Sequence, residues 1–555
     1  YSSISQSNTN NSSYSLRGQL SYSDVYREIH RFSVLAGAEI RGEKAEGIFE
    51  KRYGYDPVTG NSAMPVPKDP GNGEGFKYSD LVSYANAMDQ LSGQEIEENR
   101  FASFYGALDY SLFDRYVLNV SFRTDGSNNF GSDEQFNPTW SAGAVWHVSE
   151  ETFMEVVRPV LSRLSLRVAT GYTGNINKTV KPNLMMKYYK NFRISDDENY
   201  RMGYINNAPN PKLRWEKTRD VKVALDFGLW KDRINGIVEA YWRKSKDCVT
   251  SEYVPVTTGF FNQSYNTSVL QNNGVEFSLS VAVLKSKDYN LSVSANVAWN
   301  QNKLKKYNSP NTSLALDKYV GYPMGAVFSG KYEGIDPETG MYKFKLRPDA
   351  VTNKDGYLRE PNNYYYYLGT SVAPFTGGFN LNFSYKNIGL SVGGSYSVKA
   401  KMVDNIESPA GYELLSGSKL ESIPTHHNDL YRNHLNVKRE VRNRWTPENR
   451  TGVKYPRLID AYGKKLGLDL TNPTLTTITR GALLEDISYL RINTIALSYS
   501  LPQRVLERIN FSSAALNLTL NNFFTITKYS GIDPEVPGAT YPVSRSVTIG
   551  LNVGF

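Results

Sequence analysis

Few residues of this 555-residue chain are spaced for covalent chemistry. No nucleophile–base pair, phosphate-cradling glycine loop or catalytic carboxylate pair stands out, so an enzyme reading has no residues to rest on. His426-His427 and His434 fall in a long polar link at a spacing that matches no ligand motif, and solvated surface histidines are the expectation there. Asp336/Glu338 and Asp533/Glu535 sit in turns marked by Gly and Pro, where Asp ordinarily accepts local backbone N–H groups; calcium binding is the sharper alternative. No metal and no cofactor is expected. Cys248 is the single cysteine, which excludes a disulfide scaffold. The one run suited to recognition is Asn362-Asn363-Tyr364-Tyr365-Tyr366-Tyr367. Aromatic faces there could stack on sugar rings or peptide side chains while the amides bond hydroxyls; packing within the loop, or against a partner protein, is the plainer alternative.

The elements that would carry such a run follow from composition and periodicity. Lys and Arg number 63 against 55 Asp and Glu, a net +8 spread along the chain, which gives no basic patch for nucleic acid. With 40 Tyr, 24 Phe and 7 Trp, the chain is too aromatic to be disordered. No stretch reaches the roughly 18 apolar residues of a spanning helix, which leaves closed β-barrels open because only alternate residues of their strands face lipid. Val547, Ile549, Leu551, Val553 and Phe555 alternate with Ser546, Thr548, Gly550, Asn552 and Gly554. The same period of two recurs from Tyr14–Tyr22 and Phe32–Ile40 through Leu291–Trp299 and Phe379–Tyr385 to Leu516–Leu520, about fifteen times in all. Near Ile487–Leu501 the phase slips from Leu490/Ile492 to Ile495/Leu497/Tyr499, as a β-bulge would make it.

The links alternate too. Short ones such as Phe113-Asp114, Lys231-Asp232 and Lys386-Asn387 take turns with long ones, expected at about 42–98, 174–213, 247–272, 301–374 and 399–484. Tight turns on one side and large loops on the other are the plan of an outer-membrane barrel, with Arg17, Arg123, Arg167, Glu239 and Glu276 on the water-lined face. A large soluble β-sandwich or propeller is the alternative.

From about Arg100 onward the residues resemble the SusC/RagA-type TonB-dependent transporters of Bacteroidetes outer membranes. The resemblance is carried by Arg123-Thr124-Asp125-Gly126-Ser127 with Phe130-Gly131, by Ser149-Glu150-Glu151 with Phe153-Met154, and by Gly171-Tyr172-Thr173-Gly174-Asn175. It continues through Asn210-Pro211 with Leu213 and Trp215-Glu216-Lys217-Thr218, Asn273-Gly274-Val275-Glu276, Gly334-Ile335-Asp336-Pro337, Arg444-Trp445-Thr446, Tyr489-Leu490-Arg491 and Gly531-Ile532-Asp533-Pro534-Glu535. The resemblance implies an all-β transmembrane barrel of 22 strands with an N-terminal plug. Residues 1–555 are then expected to be the C-terminal fifteen strands or so, without the plug, opening at Tyr1 in an extracellular loop. It implies active import of an oligosaccharide, with an oligopeptide or a passive porin-like role as alternatives. The implied partners are a SusD-like surface lipoprotein, the TonB–ExbB–ExbD complex and outer-membrane lipid; whether two transporter–lipoprotein units pair as a dimer is left open by the sequence. Phe555 resembles the terminal aromatic read by the barrel assembly machinery.

Overall fold

A computed structural model describes residues 3–555 apart from 54, 63–91, 178–179, 196–197, 261, 308–318, 339, 341, 351–363, 404–442, 454–479 and 538–540. Fifteen strands form one antiparallel sheet in which each pairs with the next along the wall. They are β1 (Ser3–Tyr26), β2 (His30–Tyr53), β3 (Ser92–Leu112), β4 (Tyr116–Ser127), β5 (Phe136–His147), β6 (Leu161–Asn175), β9 (Glu216–Leu229), β10 (Ile234–Tyr253), β11 (Asn262–Lys285) and β12 (Tyr289–Lys306). The wall continues through β17 (Phe375–Tyr385), β18 (Ile388–Val398), β21 (Tyr489–Ser500), β22 (Ser513–Thr527) and β23 (Ser546–Gly554). Four small ladders stand outside it: β7 (Met185–Ser195) with β8 (Glu198–Asn207), β13 (Ala326–Gly330) with β16 (Tyr365–Thr370), β14 (Tyr332–Ile335) with β15 (Tyr342–Phe344), and β19 (Lys401–Val403) with β20 (Leu484–Asp486).

The wall turns an ordinary globule inside out. Leu16 is 72% exposed, Ile549 73% and Leu551 66%, and Leu20, Ile40, Phe122 and Leu497 share their face. An apolar surface of this extent exceeds by far the few hundred Å² that a protein leaves to water, and hydrocarbon is its proper solvent. The ladders satisfy the backbone within the sheet, as a low-dielectric surround requires. Among the described residues the buried apolar side chains gather at strand ends and links instead: Phe130, Leu213, Trp215, Trp445, and a small cluster of Ala400, Ile487 and Tyr529. A sandwich or propeller would need a second layer over the apolar face, and none is present among the described residues.

Pairing extends well beyond the apolar alternation. Ser3–Ser13 pair with Glu43–Tyr53, and Ser92–Arg100 with Gly42–Glu50, so both ends of the expected loop at 42–98, residues 42–53 and 92–98, are strand. The 247–272 loop shrinks likewise to the turn between Tyr253 and Asn262. Strands of 24 residues reach about 80 Å at ~3.3 Å per residue, more than twice the bilayer core. Above the lipid both faces meet water, so the period of two disappears from the sequence while the ladder goes on.

The opposite ends are tight. Phe113 and Asp114 both take left-handed backbone angles (φ 55° and 54°), a two-residue hairpin of the kind whose twist matches its strands. Asn493 is the extra residue of the expected bulge against β18, while on the other side it faces two residues of β22, Asn522 and Phe523, so the register shifts there as well. In the 148–160 turn, Glu151 accepts hydrogen bonds from the Tyr116 hydroxyl (2.5 Å) and the Trp146 indole (3.1 Å), with Arg115 at 3.3 Å. These bonds hold its carboxyl below the usual range and tie the turn to two strands.

Candidate functional site

The polar face of β1–β11 is a lattice of ion pairs. Arg17 reaches Glu39 across β1 and β2 at 2.9 Å, and Arg123 holds Asp125 at 2.7 Å. The Tyr105 ring lies between those guanidiniums, 6.0 Å from Arg17 and 5.5 Å from Arg123, with its hydroxyl donating to Gln19. Further round, Arg167 donates to Asp226 (2.9 Å), Arg243 pairs with Asp220 (3.0 Å) and Lys222 with Glu239 (3.3 Å). Glu276 stands directly opposite Glu239 in the β10–β11 ladder, and among the described residues no ion pair reaches it. Two like charges facing one another are locally unfavourable. Lys222 offsets the charge of Glu239, which leaves Glu276 as the one of the two without an ion pair among the described residues.

At the loop end, the link from β12 to β17 folds back on the sheet. Gly321 and Tyr322 exchange backbone hydrogen bonds with Leu304, so this segment takes the place beside β12 that β17 leaves above Phe375. The fork encloses a cleft of about 410 Å³, lined among others by Trp299, Asn300, Asn302, Tyr322, Met324 and Tyr367. Tyr322 packs on Tyr367 with ring centroids 4.8 Å apart and edge-on to Phe328 at 5.0 Å. Asn302 accepts from Met324 N–H (2.8 Å) and donates to Asn272 (2.6 Å), which fixes its amide. Flat aromatic faces beside oriented amides are the chemistry that takes a polar ring.

The tyrosine run expected to contact ligand is divided by the fold. Tyr365 is buried in the β13–β16 ladder, Tyr366 donates its hydroxyl to Leu346 O (2.9 Å), and Tyr364 is half-buried in the preceding turn. Tyr367 alone of the four lines the cleft, while Asn362 and Asn363 lie outside the described residues. Trp299 reads in sequence only as the last apolar residue of the β12 alternation, and nothing there marks that Tyr322 and Tyr367 fold back beside it and Asn302.

A second rim device centres on Arg491, which is 2% exposed. It pairs with Asp533 at 2.5 Å and Glu535 at 2.7 Å and donates to Thr525. Burial pushes the Asp533 carboxyl up, but hydrogen bonds from Glu535 N–H, Arg491 and Val543 N–H outweigh it and hold the group below its ordinary value. Asp336 accepts from Glu338 N–H, the local turn bond expected of it, and the Trp445 indole donates to Pro337 O beside it. His426, His427 and His434 lie outside the described residues; among those described, no three His, Cys, Asp or Glu converge on a metal-sized space. Phe555 is 92% exposed, edge-on to Phe511 at 5.1 Å.

Cys248 stands on β10 above Trp242, where the apolar alternation has ended. Burial, with Glu216 and Asp247 nearby, pushes its thiol up to about 11 from 9.0. Reactivity follows the thiolate, so iodoacetamide at pH 8 is expected to alkylate the folded protein about a hundred-fold more slowly than the unfolded chain. Equal rates by mass spectrometry would contradict this environment.

Residues 1–405 match the family described as TonB dependent receptor-like, beta-barrel. The chain is 25% identical to TonB-dependent receptor P26 of Formosa agariphila over 97% of its length and 52% of the relative's. To TonB-dependent receptor SusC of Bacteroides thetaiotaomicron it is 26% identical, over 94% of this chain and 48% of that one. The structure of the RagAB peptide transporter superposes with a TM-score of 0.75 at 24% identity, covering 100% of this chain and 56% of that chain. The chain thus spans about half the length of the curated relatives it matches.

Proposed function

From the premise that the chain belongs to the TonB-dependent receptor-like β-barrel family, we propose that it forms wall and rim of an outer-membrane importer of oligosaccharides. The observation that carries this reading is the two-faced wall topped by an aromatic and amide-lined cleft. A SusD-like lipoprotein covers the rim, where the extended strands and the 301–374 and 399–488 links offer it a platform. TonB–ExbB–ExbD delivers energy to a plug inside the wall. The opposed Glu239 and Glu276 support an occupied lumen, since a basic side chain of such a plug would relieve their repulsion.

An oligopeptide is the second reading, since the protein whose fold this wall matches is a peptide transporter; at 24% identity that likeness speaks for fold rather than cargo. The cleft favours sugar because, among the described residues, Lys303 is the one charged side chain lining it, where peptide termini would call for both signs.

The test is growth of a strain lacking the protein on neutral oligosaccharides or on peptides, with the protein restored as control. Loss of growth confined to oligosaccharides, with oligosaccharide uptake by the restored strain abolished by a protonophore, is the expected result. Loss on peptides alone would install the second reading, and uptake that survives the protonophore would leave a passive pore.

A further inference from the structure

Charge on the polar face is confined to one side of the wall. The ion pairs described above lie on β1–β11. From β12 onward the inward positions hold only Asn, Ser, Thr, Gly and Ala: 290–302 of β12, 376–384 of β17, 389–397 of β18, 494–498 of β21, 513–521 of β22 and 546–554 of β23. Of the charged side chains above this zone, Arg491 is spent on Asp533 and Glu535, and Lys303 stays at the rim cleft.

The zone also has a top, a bottom and a rail between them. At the top is the rim cleft, which Asn300 and Asn302 line. Near the tight turns is a hollow of about 250 Å³, lined by Asn290, Asn382, Ser391, Ser498, Asn517 and Thr519. The inner face of β12 joins the two through Asn302, Asn300, Asn296 and Asn290, a run of roughly 40 Å at the usual strand rise. Ladder neighbours orient these amides: Asn296 accepts from Gly378 N–H (2.6 Å), and Asn382 accepts from Ser391 (2.8 Å). An amide has two donors and an acceptor with two lone pairs, so one wall bond leaves further capacity toward the lumen.

We propose that cargo descends along this uncharged zone, from the rim cleft to the hollow, and that the zone admits a neutral polyhydroxylated chain in preference to an ionised one. The ion-paired side holds whatever else fills the lumen. A hydroxyl-rich chain can exchange weak hydrogen bonds from one amide or hydroxyl to the next, with no single site deep enough to trap it. A carboxylate or ammonium in the same place meets no counter-charge after losing water. The proposal rests on the transporter reading above.

The path is tested in cells carrying the whole protein with Cys248→Ser, adding Asn382→Cys in the neutral zone or Ser141→Cys on the charged side. A hydrophilic maleimide is applied from outside, with and without a protonophore. Energised cells are expected to label Asn382→Cys about ten-fold faster than de-energised ones, with Ser141→Cys unchanged. Faster labelling of Ser141→Cys, or a change at neither, overturns the path. If neither changes while growth on an oligosaccharide still needs the protein, the path alone fails; if that need is absent too, the transporter reading fails with it. Selectivity is read from Asn382→Asp with Asn517→Asp, which keep side-chain volume and add charge. Uptake of a neutral oligosaccharide that requires the protein is expected to fall about ten-fold at unchanged surface abundance and heat-modifiability. Unchanged uptake, or protein-dependent uptake of a uronate-bearing oligosaccharide of equal length, overturns the selectivity.

Discussion

Arg491→Ala is expected to release the 528–545 link from the wall. The substitution strands Asp533, itself buried, without the guanidinium that neutralises it. Breaking a buried pair on one side costs about 3–5 kcal/mol; the lower figure applies because Glu535, the other partner, is half-exposed and screened by water. Limited proteolysis should then cut within the 528–545 link while the β21–β22 ladder resists, and amide exchange at Val543 should accelerate. Arg491→Lys, with one charge but no fork, should fall between the two. Protection unchanged in Arg491→Ala would mean that the ion pairs do not hold the link. The pH dependence follows in sign. The carboxyl is depressed in the folded state, so its contribution is complete above the ordinary carboxylate value and fades as pH falls through the folded value. Acid should loosen this link, and alkali up to the range of Tyr should not.

Gly131→Ala is the second large effect, and it acts by contact. A Cβ at this position would lie 1.8 Å from Pro211 O and 2.1 Å from its carbonyl carbon. Both are backbone atoms, so no side chain can swing aside. The close approach lets Gly131 N–H donate to Leu213 O (3.0 Å) and stacks Phe130 on Trp215 at 4.6 Å, with Leu213 buried beneath. Overpacking of this kind costs about 3 kcal/mol, and loss of the Trp215 contacts adds to it. The expected result is a red shift of tryptophan emission and proteolysis in 209–215, against no change for Gly18→Ala, whose Cβ meets nothing within 4 Å. A silent Gly131→Ala would show that the two segments are not held together here.

These two positions also explain what the sequence disclosed. All fifteen wall strands were legible, since lipid on one side and water on the other impose a period of two on every crossing. The SusC/RagA-type resemblance was legible as well, and the motifs that carry it prove to be staples: Arg123 on Asp125, Glu151 under Tyr116 and Trp146, Phe130-Gly131 on Leu213 and Trp215, Arg491 on Asp533. Each half of a staple could be read, but the pairing could not, because partners such as Gly131 and Pro211 meet only in the folded rim. The strand extensions were hidden for a different reason: once both faces are wet, nothing in residue type distinguishes Ser3–Ser13 from loop. Of the tyrosine run, composition suggests aromatic recognition only as a chemistry for the whole run, while the β13–β16 register decides that Tyr367 turns to the cleft and Tyr365 away from it.

The sorting of links by length bears on how such a protein changes over time. Each wall strand finds its partners next along the wall, so no link has to reach across the barrel. Closing a flexible link becomes harder only with the logarithm of its length, about 0.6 kcal/mol per doubling. On that scaling a link weighs little more on folding than one half as long. Insertions, deletions and wholesale replacements can accumulate at the outer rim while the hairpin turns opposite, which have no slack, stay fixed. On the importer reading proposed above, a lineage could acquire a taste for a new nutrient by exchanging surface segments, with the same wall carried unaltered from one diet to the next.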